Sequence, residues 1–223
     1  MYRLHSKLVL TTTGILLLGG MILYAVFEWT GPAYAGYSSV EKLLLSAFQS
    51  VTMRTAGFNT VDLAQMSDSS TIVSLILMLI GGSSGSTAGG IITTTIAVLV
   101  LSIAAELKNK KQVECFGRRL EEDMIRNACC IITLYLALML AASCALCAID
   151  GITMKEAFFE ASSAIGTVGL TLGVTPSLSA CSHLILAVLM FLGRVGGLTI
   201  LIVFSDLYKQ IPSRMPLEKI TVG

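Results

Sequence analysis

Thr55-Ala56-Gly57-Phe58-Asn59 and Thr167-Val168-Gly169-Leu170-Thr171 are two short uncharged stretches of one form, T-x-G-x-Asn/Thr. The chemistry open to them is coordination of a cation by oxygen. Glycine permits a backbone with positive φ, so successive carbonyls can turn to one side. Threonine adds a hydroxyl oxygen at the inner end. A ring of such carbonyls replaces the hydration shell of potassium in channel filters, whose segments read TVGYG. One T-x-G is equally a turn, or a small-residue contact between packed helices. Two at a fixed spacing are a stronger signal. The spacing is 112 residues, and it also carries Gly81 onto Gly193. Phe48-Gln49 matches Phe159-Glu160 with a slip of one residue.

The elements that must hold these loops follow from composition. The chain has 223 residues, 54% hydrophobic and only 13% charged, with a mean hydropathy of +0.81. A soluble domain carries about a quarter charged residues, so the class is an all-α membrane protein. A net charge of +1 with no basic tail gives no sign of a nucleic-acid partner. Leu8–Phe27, Ile125–Ile149 and His183–Phe204 are each long and apolar enough to span a bilayer. The first is longer than a typical signal-peptide core and reads as a retained span, although Ala33-Tyr34-Ala35 resembles a cleavage site. Thr71–Ala105 as one helix would be about 50 Å long, against a hydrocarbon core of about 30 Å. Its middle reads GGSSGSTAGG (Gly81, Gly82, Ser83, Ser84, Gly85, Ser86, Thr87, Ala88, Gly89, Gly90). The pattern predicts a span broken by non-helical backbone, which is tolerated only inside protein or beside a watery cavity.

Ser38–Thr52 and Ile152–Ala164 are amphipathic and too short to span. They read as re-entrant half-helices, each handing over to a T-x-G loop. A half-helix that enters from outside aims its C-terminus, with about −0.5 charge, at the middle of the bilayer. Two such ends aimed at one axis favour a cation. Eleven of the fifteen Lys and Arg residues lie before the first span, in the stretch 106–126, or after the last span. The positive-inside rule then places both termini and the central loop in the cytoplasm. The architecture is two tandem repeats of span, re-entrant pore helix, filter loop and span, related by an axis along the membrane normal. The expected divisions are 1–105, a cytoplasmic connector 106–126, and 127–223. Arg194 in the last span costs about 2.5–3.5 kcal/mol on insertion scales, so it should face a wet cavity or a partner. Of six cysteines, all but Cys115 lie in or beside apolar runs. They read as membrane-buried thiols, and Cys144-x-x-Cys147 lacks the second pair of a metal site.

RTAGFNT (54–60), GGSSGSTAGGI (81–91), TVGLT (167–171) and GRVG (193–196) resemble the potassium-uptake family of TrkH and KtrB. The likeness covers essentially the whole chain, and its short C-terminus looks more like KtrB. Members have four such repeats around one pore, and this chain resembles the third and fourth. The resemblance implies that residues 55–59 and 167–171 are filter segments, with Gly57 and Gly169 at the selectivity position. It implies that Gly81–Gly90 is a gating loop below the filter and that Arg194 faces the permeation path. The cargo is potassium, with sodium as a second ion, and no covalently bound cofactor is implied. Implied partners are membrane lipid, either a second copy or a chain with the first two repeats, and a cytosolic nucleotide-binding regulatory subunit of the KtrA or TrkA type. Two positions depart from the pattern: Ile92 replaces a lysine after the loop, and Gly197 replaces a proline after GRVG.

Two rival readings stand beside this. Gly82-Ser83-Ser84-Gly85 resembles the G-x-S-G of intramembrane serine proteases. A serine nucleophile needs a histidine within hydrogen-bond reach, and the spacing puts His183 about 20 Å of depth from Ser84. The run also lacks the G-K-[ST] of a phosphate loop. The other rival is a truncated or split-gene fragment with no pore of its own, since a filter needs four segments and this chain supplies two.

Overall fold

The computed structural model describes residues 4–83, 88–110, 112–197 and 199. Helix α1 (Leu4–Glu28) leads through a 3-10 turn, Pro32–Tyr34, to α2 (Ser39–Thr52). A loop and a second 3-10 turn, Leu63–Gln65, lead to α3 (Asp68–Leu79). Irregular backbone separates α3 from α4 (Thr93–Leu107), and a hairpin of β1 (Glu114–Cys115) and β2 (Arg118–Arg119) follows. Then come α5 (Glu122–Asp150), α6 (Met154–Gly166), a loop with the 3-10 turn Thr175–Ser177, and α7 (Ala180–Val195).

α1 and α5 are long and apolar enough to cross a membrane, and each turns most of its apolar surface outward. In water that surface would have to be buried; in lipid it is the solvated face. The expected spans Leu8–Phe27 and Ile125–Ile149 lie within these helices. The expected break in Thr71–Ala105 falls between Leu79 and Thr93. The span expected over His183–Phe204 differs: α7 starts three residues earlier and its described helix stops at Val195, where Gly196 turns to φ +87°. Residues 198 and 200–204 lie outside the described residues.

Local signals fix the half-helices. Ser38 and Thr153 are N-caps whose side chains accept from the backbone N–H of Glu41 and Glu156, and each glutamate bonds back to the cap. These are reciprocal capping boxes. From residue 55 onward the 112 spacing is kept element by element. The 3-10 turn 63–65 matches 175–177, and N-cap Ser67, bonded to Ser70, matches N-cap Ser179, bonded to Ser182. Ahead of the loops the spacing is 115 (38 to 153): α2 is one residue longer than α6, and Met53 and Arg54 separate it from Thr55, whereas α6 ends directly at Thr167. The one-residue slip at Phe48-Gln49 belongs to that stretch.

A carboxylate ties each outer helix to the inner one. Glu28 at the end of α1 is fully buried and accepts the N–H of Ser67 (2.7 Å). Asp150 at the end of α5 accepts the N–H of Ser179 (3.2 and 3.3 Å). Each acid meets the positive N-terminal end of a helix.

The connector holds the β1/β2 hairpin, which its mixed charges gave no reason to expect. Phe116 and Gly117 both take positive φ (48° and 73°), the geometry of a two-residue hairpin turn. The Phe116 ring lies 5.7 Å from Lys7 Nζ, so the hairpin sits at the start of α1. Cys115 packs with Leu8 and Ala97, and burial pushes its thiol pKa up. Cys129, Cys130, Cys144 and Cys181 instead face outward from the chain.

Beside the small cluster at Cys115, two larger ones make up the core among the described residues. One cluster joins Tyr24, Tyr34, Met53, Leu77 and Met78 with Phe159, Val168 and Leu170 from the second half. The other packs Tyr135, Leu146, Ile165, Leu186 and Leu189 under α6. Gly193 in α7 lies so close to α6 that a Cβ would overlap the Ile165 carbonyl. Gly193→Ala should therefore destabilise by about 1–3 kcal/mol, read as a lowered melting temperature in detergent. Gly14→Ala, which meets nothing within 4 Å, should leave it unchanged or raise it.

Candidate functional site

The two T-x-G loops follow directly on the half-helices and bend alike. Thr55 and Thr167 take φ +66° and +52°, and Gly57 and Gly169 take φ +75° and +86°. A β-branched residue in the left-handed region is strained, by about 1–3 kcal/mol, and such strain clusters at functional sites. Here it recurs at one position of both loops. The loop N–H groups fold back on the helix ends: Gly57 N donates to Thr52 O (3.1 Å) and Val168 N to Ser163 O (2.9 Å).

The loops touch. A Cβ on Gly57 would collide with the Val168 carbonyl. The same construction at Gly169 meets nothing within 4 Å. Side chains differ in the same sense. Leu170 is 5% exposed in the core of the first half, whereas Phe58, its counterpart by spacing, is 71% exposed. The Phe58 carbonyl is held by the Thr52 hydroxyl (2.6 Å). Ala56 and Asn59 are exposed.

Behind the second loop lies a buried carboxylate. Glu160 accepts from Thr171 Oγ1 on one oxygen and from Thr175 Oγ1 (2.9 Å) on the other. Thr171 Oγ1 in turn accepts from Gly173 N (2.9 Å). Behind the first loop stands Gln49, fully buried, whose amide oxygen and nitrogen have no partner among the described residues.

The irregular stretch between α3 and α4 runs beneath both loops. Ile80 and Ile91 form a parallel bridge, with Gly81 N donating to Ile91 O and Ile91 N to Leu79 O (both 2.9 Å). Gly89 N donates to Thr167 Oγ1 (3.1 Å), and Gly90 N to Gly193 O (3.3 Å). Arg54 Nη2 donates to Gly81 O (3.2 Å). Ser83 Oγ lies 3.4 Å from the hydroxyls of Thr13 and Thr93. Gly81, Gly82, Ser83, Ala88, Gly89 and Gly90 of the expected gating loop are thus placed, while Ser84, Gly85, Ser86 and Thr87 lie outside the described residues. Arg194 is exposed in the last turn of α7, next to the Gly193 that anchors this loop. His183 sits in the first turn of α7 with Nδ1 2.9 Å from Ser179 O, at the opposite end of that helix from Arg194. The departures have local settings. Ile92 is the N-cap of α4 without a side-chain cap bond, and a Cβ on Gly197 would press on Ile131 (2.8 Å) and Tyr135 (2.9 Å) of α5.

The family model described as TrkH, cation transport protein, matches residues 8–215. The chain belongs to the TrkH family. It is 39% identical to the potassium/sodium uptake protein NtpJ of Enterococcus hirae, over 99% of this chain and 50% of that protein. It is 38% identical to the Ktr system potassium uptake protein B of Bacillus subtilis, over 92% of this chain and 46% of that one. The chain spans about half the length of the curated relatives it matches. The crystal structure of the potassium transporter TrkH from Vibrio parahaemolyticus shares the fold, with a TM-score of 0.70 and 23% identity over 88% of this chain and 43% of that one. The family and these relatives are ion transporters, not enzymes.

Sequence reasoning missed Glu160, Arg54 and the Glu28 and Asp150 ties as parts of the site's support. Ser67-x-x-Ser70 and Ser179-x-x-Ser182, two N-cap patterns at the 112 spacing, were the available signal for the ties. Glu160 uses both oxygens, and glutamine offers only one acceptor. Glu160→Gln should therefore cost about 1–3 kcal/mol, measured by thermal denaturation in detergent. In a double-mutant cycle with Thr171→Val the losses should fail to add by at least about 0.5 kcal/mol. Additive losses would mean that the pair is not coupled.

Proposed function

We propose that this chain is a half-subunit of a channel-like pore for potassium uptake, with sodium as a second transported ion, and that it supplies two of four filter segments. The observation that carries this reading is the matched bend of two T-x-G loops, each ending a half-helix, with Gly57 seated on the Val168 carbonyl. Residues 55–59 and 167–171 are then two adjacent walls of a filter, with Gly57 and Gly169 at its narrowest point. Residues 1–105 and 127–223 act as the third- and fourth-type repeats, and 106–126 as the connector. Gly81–Gly90, pinned beneath both walls, serves as the gate, with Arg194 beside it.

Ring closure is supported by the unequal edges of the pair. Leu170 is seated in the first half, whereas Phe58 and the open side of Gly169 face away from it. A neighbour of the same repeat type fits both edges: a second copy, or a chain carrying the first two repeats. The protein resides in the plasma membrane with both termini cytoplasmic. Contact between Lys7 and Phe116, which puts the connector at the start of α1, supports that topology. The hairpin is the docking surface for a nucleotide-binding regulatory subunit of the KtrA or TrkA type.

Expression in cells lacking potassium uptake tests the reading. Growth on low potassium should be rescued by the chain alone or together with a chain carrying the first two repeats. Failure in both arms would favour an inert fragment. In the rescuing arrangement, Gly169→Ser should lower the potassium-over-sodium uptake ratio by about tenfold, since each decade needs only ~1.4 kcal/mol. An unchanged ratio would remove the filter assignment.

A further inference from the structure

Arg54 is the residue just before the first T-x-G loop. Its counterpart at the 112 spacing is Gly166, which has no side chain. The two halves therefore meet the irregular α3–α4 stretch by different means. In the second half the backbone itself comes close: a Cβ on Gly90 would lie 3.3 Å from the Gly166 Cα, and a Cβ on Gly166 would overlap the Met78 carbonyl at the end of α3. In the first half a guanidinium crosses the gap, and Arg54 Nη2 reaches Gly81 O at 3.2 Å. Arg54 Nε is buried without a partner among the described residues. A guanidinium near a helix C-terminus commonly serves that helix's own last carbonyls. This one reaches a residue 27 positions away in the chain.

The receiving carbonyl is not free to drift. Gly81 is buried, its N–H is bonded to Ile91 O, and a Cβ on it would strike the Gly89 carbonyl. On the far limb, Gly89 is bonded to Thr167. Among the described residues the stretch is thus tied toward both T-x-G loops, by Arg54 just ahead of the first and by the Thr167 hydroxyl on the second.

We propose that Arg54 is a positioning residue that latches the Gly81 limb of this stretch to the inner end of the 55–59 loop. The limb leaves its seat only when the guanidinium–carbonyl bond breaks. The transport consequence rests on the gate reading above; the latch itself does not.

Hydrogen-exchange mass spectrometry on the full chain in lipid nanodiscs separates the two. Arg54→Met should raise the exchange rate of amides in 79–93 by roughly tenfold, as loss of one charge-assisted bond would. Peptides from α6 and α7 should not change. Arg54→Lys keeps the charge at the end of α2 but shortens the reach, so its exchange in 79–93 should rise by less. Should the Met variant fail to fold, the Lys variant decides. Unchanged exchange in 79–93, or a rise spread equally over α6 and α7, overturns the latch. Rubidium uptake is then measured in the growth-rescuing arrangement. If the stretch is a gate, Vmax rises with KM and the potassium-over-sodium ratio held. Faster exchange with unchanged Vmax keeps the latch and rejects the gate.

Discussion

Backbone that leaves helical geometry inside a hydrocarbon layer must find every hydrogen-bond partner within the protein. The stretch between α3 and α4 is where this chain meets that demand. Its N–H groups at Gly81, Gly89, Gly90, Ile91 and Thr93 go to Ile91 O, Thr167 Oγ1, Gly193 O, Leu79 O and Gly82 O. Two of these partners belong to the stretch's own bridge, and two belong to α7 and the loop after α6. Satisfying the stretch therefore draws the two halves of the chain together. The break is a joint between four helices, and its position is fixed by them.

The same demand explains where glycine is needed. In lipid, apolar side chains gain little from helix association, so close backbone packing and polar contacts decide it. Gly57, Gly166 and Gly193 each place their Cα where a side chain would strike a carbonyl of another segment, and Gly81 where it would strike the Gly89 carbonyl on the other limb of its own stretch. These are backbone-on-backbone contacts, and substitution there cannot be absorbed by a rotamer change. The halves accordingly agree at Thr, Gly and Ser positions much more than at the apolar positions of their helices, which need only be greasy.

Much of the fold was legible because three signals act locally. Helix length against bilayer thickness located α1 and α5; amphipathic runs too short to span, 38–52 and 152–164, located the half-helices; and a glycine-rich run marked the break. What stayed hidden depends on tertiary partners. Glu28 and Asp150 make equivalent ties, yet their spacing is 122 and not 112, because the connection from α1 to α3 is longer than that from α5 to α7. Arg54 reads as a helix-end cation until its partner at Gly81 is seen. The hairpin is two residues per strand, too short for alternation to register. Cysteines in apolar runs read as membrane-buried thiols, and four of them face outward from the chain, since an apolar run in such a chain faces lipid as readily as protein. Cys115, outside those runs, is the buried one.

The halves also differ in charge where their loops agree in shape. The second loop has a carboxylate behind its outer end, with Glu160 gripping Thr171 and Thr175. The first has the neutral Gln49 at the corresponding place and a guanidinium, Arg54, at its inner end. If the loops line one filter, as proposed, a cation passing between them meets an anion behind one wall and a fixed cation under the other. Each charge is bonded locally, Glu160 to Thr171 and Thr175 and Arg54 to Gly81 O. A ring of identical segments would repeat each charge four times, and four buried guanidiniums beneath one filter would repel both one another and the ion. Non-identical repeats avoid this. In the proposed filter, one wall would then carry the latch and another the brace, which is a physical reason for two diverged copies of one unit.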